Sequence, residues 1–381
     1  MPMKKEMNPR DRLLCTLNHA EPDRVPSALF GSYYSLQDRT YFGLLDHLGI
    51  KNPLPPFRRF KTRSTNYYDD RVLDRLGTDT RYVWLGFTDL GGANPDTLTD
   101  AWGVQWRRMG PSFTPVGYPL GDTKIEDVER YPWPDPEQFI DREQCRERAK
   151  MLRKNGRYAV VGRGTNSYGP FEQASELRGR DRFLIDLVLE PELAGLILTK
   201  VTDVIVRLTE ILLDTCGEMM DIVEVPGDDY GGTEALLISP DMFRKTVRPH
   251  LERIIRPVKE FSEDLFVAFH SDGAVGAILE DFIDSGIDLF HPLEPLFAND
   301  MADIKKRFGD RLSFMGAIDI KKAMTGSVKD VEEEVKRRID ILAPGGGYVL
   351  TPANHLQADV PPENIVALYE AGRKYGVYPL G

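Results

Sequence analysis

The chain has 381 residues, 41% of them hydrophobic and 29% charged, which is enough apolar material for a large core beneath an ordinary hydrated surface. Its net charge of -11 is spread along the chain, which argues against partners such as nucleic acid or anionic membranes, because both need a basic face. No apolar run reaches the roughly 18 residues of a bilayer span. The stretch "MPMKKEMNPRDRLL" lacks the apolar segment of a signal peptide. The cysteines Cys15, Cys145 and Cys216 are scattered and form no CxxC pair. These features read as a cytoplasmic protein without a disulfide framework, in which any metal site is built from His, Asp and Glu.

In chain order, the first predicted element is a helix with Asn8 as cap, Pro9 in its first turn and apolar Leu13, Leu14 and Leu17. "SALFGSYYS" follows as a first strand. From about 58 to about 136 the chain is rich in Gly, Pro, Trp and Tyr and is read as a loop-rich insertion, with "YVWLGF" as a further strand candidate and "MGPSFTPVGYP" as a hairpin or lid. After Tyr158 short apolar runs alternate with helical stretches. The strands are "YAVVGRG", "DIVEV", "LFVAFH", "IDLFH", "LSFMGAID" and "GGYVLTPANH". The helix from Leu184 to Cys216 is broken only at Glu190-Pro191, and Ser239 caps the helix that starts at Pro240. Fully apolar strands alternating with helices predict parallel βα units with both sheet faces covered. The expected fold is an α/β protein of the (β/α)8 TIM-barrel type, a single domain over 1–381, with an open doubly wound sheet as the alternative. No GxGxxG or P-loop stretch supports that alternative.

In such barrels the reactive groups sit where strands end. The strand ends here carry Asp228 and Asp229, His270 and Asp272, His291 and Glu294, Asp319, then Asn354 and His355. His270 and Asp272 are two apart, so on extended backbone both side chains face the same way and could hold one ion. His355 is the candidate third ligand, completing a three-ligand site with an open position. The alternative is a strand-end histidine beside a helix-capping aspartate. Asp228, Asp229, Asp319 and His355 are the candidate catalytic groups; Asp228 and Asp229 read either as a glycine-supported turn or as substrate-binding or metal-site partners, and because adjacent carboxylates repel, one of them could carry a raised pKa and serve as an acid. Tyr33, Glu176, His291 and Asn354 are the candidate substrate-binding residues. Glu172 and Glu176, four apart, also suit the start of a helix. Tyr34, Trp84, Trp102, Trp106 and Trp133 crowd the first third of the chain, where some could line a pocket or a docking surface.

Several stretches, in this order and spacing, resemble the uroporphyrinogen decarboxylase superfamily: "NPRDRLLCTLNHAEPDRVP", "YPWPDPE", "GPFEQASELRG", "GDDYGGTEALLISPDMFRKTVRP", "FHSDGAVGAILEDFIDSGIDLFHPLEP", "GDRLSFMGAID" and "GGYVLTPANHLQADVPPENI". The resemblance implies a (β/α)8 barrel and one of two chemistries, cofactor-free decarboxylation of a tetrapyrrole or zinc-dependent methyl transfer involving a corrinoid protein. The decarboxylases carry an arginine-rich stretch after the first strand, where this chain reads "LFGSYYS". Glu176 stands where they have a tyrosine, Asp89 loosely matches their aspartate, and His355 matches their histidine. The thiol-using methyltransferases bind zinc through an HxC pair and a later cysteine. At those positions this chain has His270-x-Asp272 and His355, a harder donor set that suits an ether or alcohol oxygen. Members acting on methyl ethers use a Glu-x14-Glu-x20-His pattern, whose spacing is matched by Asp319, Glu334 and His355.

The resemblance therefore implies a methyltransferase with zinc at His270, Asp272 and His355. It would take a small methoxylated or methylated donor and pass the methyl group to a corrinoid carried by a separate protein, since no DxHxxG stretch occurs here. A homodimer is a further possibility it raises. Two alternatives stay open. One is a decarboxylase-like lyase using His355 and Asp89; the other is a non-catalytic subunit that binds a corrinoid or small molecule.

Overall fold

The short apolar runs become strands because branched and aromatic side chains cover both faces of each. In the computed structural model, which describes residues 6–29, 36–53, 68–87, 96–110, 112–138, 140–164 and 168–380, seven of them form one parallel sheet. In chain order these are β1 (Thr80–Trp84), β2 (Ala159–Arg163), β3 (Ile222–Glu224), β4 (Phe266–His270), β5 (Leu289–His291), β6 (Ser313–Ile318) and β7 (Tyr348–Pro352), each paired with the next. Every residue in them is buried except Phe266, which is half-buried.

The segment Pro26–Ala28 completes the ring. It exchanges backbone hydrogen bonds with Leu350 of β7, at 2.9 and 3.0 Å, and accepts one from Asp79, just before β1, at 2.8 Å. This is the eighth position of an α/β barrel, as the rhythm of the sequence predicted. Arg12 and Asp79, both buried, secure the junction. Arg12 donates to Asp23 and to Asp79, while Asp79 also accepts from the Ser27 amide at 2.8 Å and from Arg24.

Helices cover the outside. Asn8 caps Pro9–Leu17 through the Asp11 amide, and Ser239 caps its helix through Met242, as their positions in the sequence predicted. The long stretch after Arg180 divides into Arg180–Leu189 and Pro191–Cys216 at the expected Glu190-Pro191 break. No helix among the described residues is long and apolar enough to cross a membrane.

The span read as an insertion holds two different things. Thr80–Trp84 belongs to the barrel, whereas Thr97–Thr99, Gln105–Met109 and Ser112–Gly117 form a separate antiparallel sheet. That small sheet meets the barrel near its mouth. Trp106 stacks on Tyr168, with ring centroids 6.4 Å apart, and Tyr168 pairs with Gly227 in the loop after β3.

Candidate metal centre at the barrel mouth

The register of β4 against β5 sets His270 level with His291 at the C-terminal end of the sheet. Both rings are buried and lie nearly parallel, 5.1 Å between centroids. Two residues beyond His270, Asp272 turns the same way. His270 Nε2 is 3.7 Å from Asp272 Oδ1 and 3.7 Å from Asp229 Oδ1. Both separations exceed hydrogen-bond reach. One donor atom from each of Asp229, His270 and Asp272 lies within 4.8 Å of the other two.

The surroundings hold these atoms in place. The Asp272 amide donates to Asp229 Oδ1 at 2.9 Å, and Asn354 Nδ2 donates to Asp272 Oδ2. Asp272 Oδ1 is buried and has no hydrogen-bond partner. A buried carboxylate oxygen without a hydrogen bond costs free energy unless a cation faces it, and either the His270 imidazolium at 3.7 Å or a metal ion can be that cation. Tetrahedral N and O donors with metal bonds of about 2.1 Å stand about 3.4 Å apart. The 3.7 Å separations are close to that figure, so these residues fit a divalent ion of the zinc type. The side chains of Asp229 and Asp272 are 32% and 24% exposed and His270 only 8%, so the centre opens to solvent on its carboxylate side.

The electrostatics agree with a cation site. Burial works to lower the His270 pKa, but Asp272 and Asp229 outweigh it and raise the value. The two carboxylates thus favour positive charge at this position. For Asp272, burial is outweighed by His270, His355 and Asn354, and its pKa falls below the usual carboxylate range. Asp229 is raised by burial and by Asp272, against the pull of His270. Burial, together with the charge of His270, pushes His291 well down, so it is neutral.

The neighbouring aspartates divide their work. Asp228, expected among the catalytic groups, is fully buried and caps the helix Pro170–Arg178 from outside. Its oxygens accept from the amides of Phe171 at 3.0 Å and Glu172 at 2.8 Å, and from the Tyr230 hydroxyl at 2.9 Å. Burial pushes its pKa up to about 7 against those hydrogen bonds. The buried Glu172 carboxyl is pushed well up by burial and then by Asp229 and Asp228, and Arg180 donates to it at 3.2 Å. Glu176 lies one turn along the same helix, half-buried. Gly227 keeps this packing possible, since a Cβ there would stand 2.6 Å from the His270 carbonyl oxygen.

The third member of the cluster is Asp229, where the sequence reading expected His355. The His355 amide and ring Nδ1 lie 2.6 and 2.7 Å from Asn354 Oδ1, so His355 reaches Asp272 through Asn354. Asp319, Glu334 and His355 do not form a donor cluster. Asp319 Oδ1 accepts from the amides of Lys321 and Lys322, and Glu334 is held by Arg337 and Arg338 of its own helix. His291, expected at the substrate, is buried with both ring nitrogens in hydrogen bonds. Glu294 accepts from the Gly273 amide at 3.1 Å. Tyr33, Tyr34 and Asp89 lie outside the described residues.

A uroporphyrinogen decarboxylase of Sodalis glossinidius is 25% identical over 293 residues, covering 73% of this chain and 77% of that protein. One of Erwinia tasmaniensis is 26% identical over 269 residues, covering 69% and 70%. Among solved structures, a methyltransferase from Methanosarcina mazei covers 97% of this chain and 99% of its own, with a TM-score of 0.68 and 20% identity, which shows a shared fold. Residues 109–375 match the uroporphyrinogen decarboxylase family, and the chain belongs to that family.

Proposed function

We propose that this chain is a metal-dependent methyltransferase, which moves a methyl group from a small methoxylated or methylated donor to a corrinoid carried by a separate protein. The observation that carries the reading is the cluster of Asp229, His270 and Asp272 at the barrel mouth, with a buried carboxylate oxygen in it that makes no hydrogen bond. The chain's full-length likeness to a methyltransferase supports it as a matter of fold. So does the "LFGSYYS" stretch, which offers no arginine for a polycarboxylate.

Asp229, His270 and Asp272 would hold a zinc ion, which would supply a Lewis acid for the leaving oxygen of the donor. The two carboxylates would balance its charge, and a set of oxygen and nitrogen donors suits an oxygen-bound methyl donor better than a thiol. The chain's own part is positioning. The Asp272 amide fixes Asp229, and Asn354 turns Asp272 so that Oδ1 faces His270. His355, joined to Asn354, would be the group that exchanges a proton with the departing alcohol. Asp228 acts by holding the helix that carries Glu172.

The reading is tested with cob(I)alamin and a panel of methoxylated donors under anaerobic conditions. Metal-loaded protein should form methylcobalamin, chelated protein should not, and added zinc should restore the reaction. A lyase reading rests on the names of the curated relatives and would use His355 and Asp89. Release of carbon dioxide from a carboxylated substrate, unaffected by chelation, would favour it over methyl transfer.

A further inference from the structure

We propose that His291 is a positioning residue: it holds His270 as the Nδ1–H tautomer, so that Nε2 is the ring atom that offers a lone pair between Asp229 and Asp272. This deepens the metal-centre reading and rests on it. His291 Nε2 lies 3.1 Å from the carbonyl oxygen of Pro352. A carbonyl only accepts, so this nitrogen carries the proton. A neutral imidazole has one donor and one acceptor, so His291 Nδ1 accepts. Its neighbour at 2.8 Å is His270 Nδ1, which must donate. A ring with no exposure, held between another imidazole and a carbonyl, is neutral. Once neutral, His270 then has its lone pair on Nε2, the atom 3.7 Å from each carboxylate.

The fold gives this contact a specific origin. His291 ends β5, Pro352 ends β7, and β6 runs between them. The ring reaches across because β6 carries Gly316 there. That residue has φ +105°, and a Cβ on it would stand 3.1 Å from His291 Cδ2 and 2.5 Å from the Pro292 carbonyl oxygen. The missing side chain on the middle strand is what lets a carbonyl on the far strand set the proton position in His270, one imidazole away. A histidine that orients a metal-binding histidine in this way belongs to the outer shell that tunes ligand basicity.

The test has two arms. Long-range proton–nitrogen spectra of metal-free protein labelled with 15N-histidine, recorded at alkaline pH, should show a protonated Nδ1 and an unprotonated Nε2 in His270. The reverse pattern overturns the proposal, and this arm needs no variant. The second arm is zinc affinity by chelator competition. His291→Phe should bind zinc about 10–100-fold more weakly. His291→Gln, whose amide can accept from His270 and donate to Pro352, should recover most of the loss. Equal affinity in all three proteins overturns the positioning role and leaves the metal centre standing. Wild type that shows the expected tautomer but binds no zinc overturns the metal reading and leaves the tautomer lock standing.

Discussion

Replacing Asp272 with asparagine tests the centre with the smallest change in shape. In the wild type, Oδ2 accepts from Asn354 while the buried Oδ1 faces His270 Nε2 at 3.7 Å without a hydrogen bond. In Asp272→Asn the amide oxygen must stay with the Asn354 donor. The new NH2 group then points at His270 Nε2 and occupies its lone pair. The site loses one ligand and one negative charge. Zinc sites in small domains are worth about 10–16 kcal/mol over four ligands, roughly 3 kcal/mol per ligand. Loss of one ligand should therefore weaken zinc binding on the order of 100-fold. Competition with a chromophoric chelator reads this directly, with a circular dichroism spectrum to confirm the fold. Zinc affinity within about threefold of wild type would refute the reasoning, because Asp272 would then be a structural carboxylate.

Three further outcomes follow. Asp319→Asn should leave zinc affinity unchanged and His355→Ala should alter it far less than Asp272→Asn, because neither residue belongs to the donor cluster; equal losses in the chelator assay would restore the spacing-based ligand set. Zinc affinity should fall as the pH is lowered, at most about tenfold per unit, because the carboxylates raise the His270 pKa and its proton must leave before metal enters. The affinity should level off above that raised value, and titrations from about pH 6 to about pH 9 would show a flat profile if His270 is not a ligand. Asp79→Ala should destabilise the protein by about 3–5 kcal/mol in urea unfolding, because it leaves the buried Arg12 guanidinium with one carboxylate fewer at the junction that closes the barrel. A loss below about 1 kcal/mol would mean that Asp23 alone compensates Arg12.

The barrel was legible because its signals are local. Apolar runs of strand length, the Asn8-Pro9 start and the Glu190-Pro191 break each act within a few residues. His270 and Asp272 were legible for the same reason, since alternation along extended backbone sends both to one side. Asp228 and Asp229 were both legible as partners of such a site, but which of the two joins the cluster was not. Asp228 and Asp229 are adjacent and chemically identical, and only the packing of the helix at Phe171 and Glu172 decides that the first is consumed as a cap. The resemblance also offered Asp319, Glu334 and His355 through a family spacing pattern, but Glu334 lies inside the helix Val328–Leu342 and is paired with arginines one turn on. The link from His291 to Pro352 depends on the register of three strands and on a glycine in the middle one, information that no single segment carries.

The most direct measurement is an anomalous difference map at the zinc edge from crystals grown with zinc. The account predicts one peak at bonding distance from His270 Nε2 and from carboxylate oxygens of Asp229 and Asp272. A peak among Asp319, Glu334 and His355, or none near His270, would contradict it.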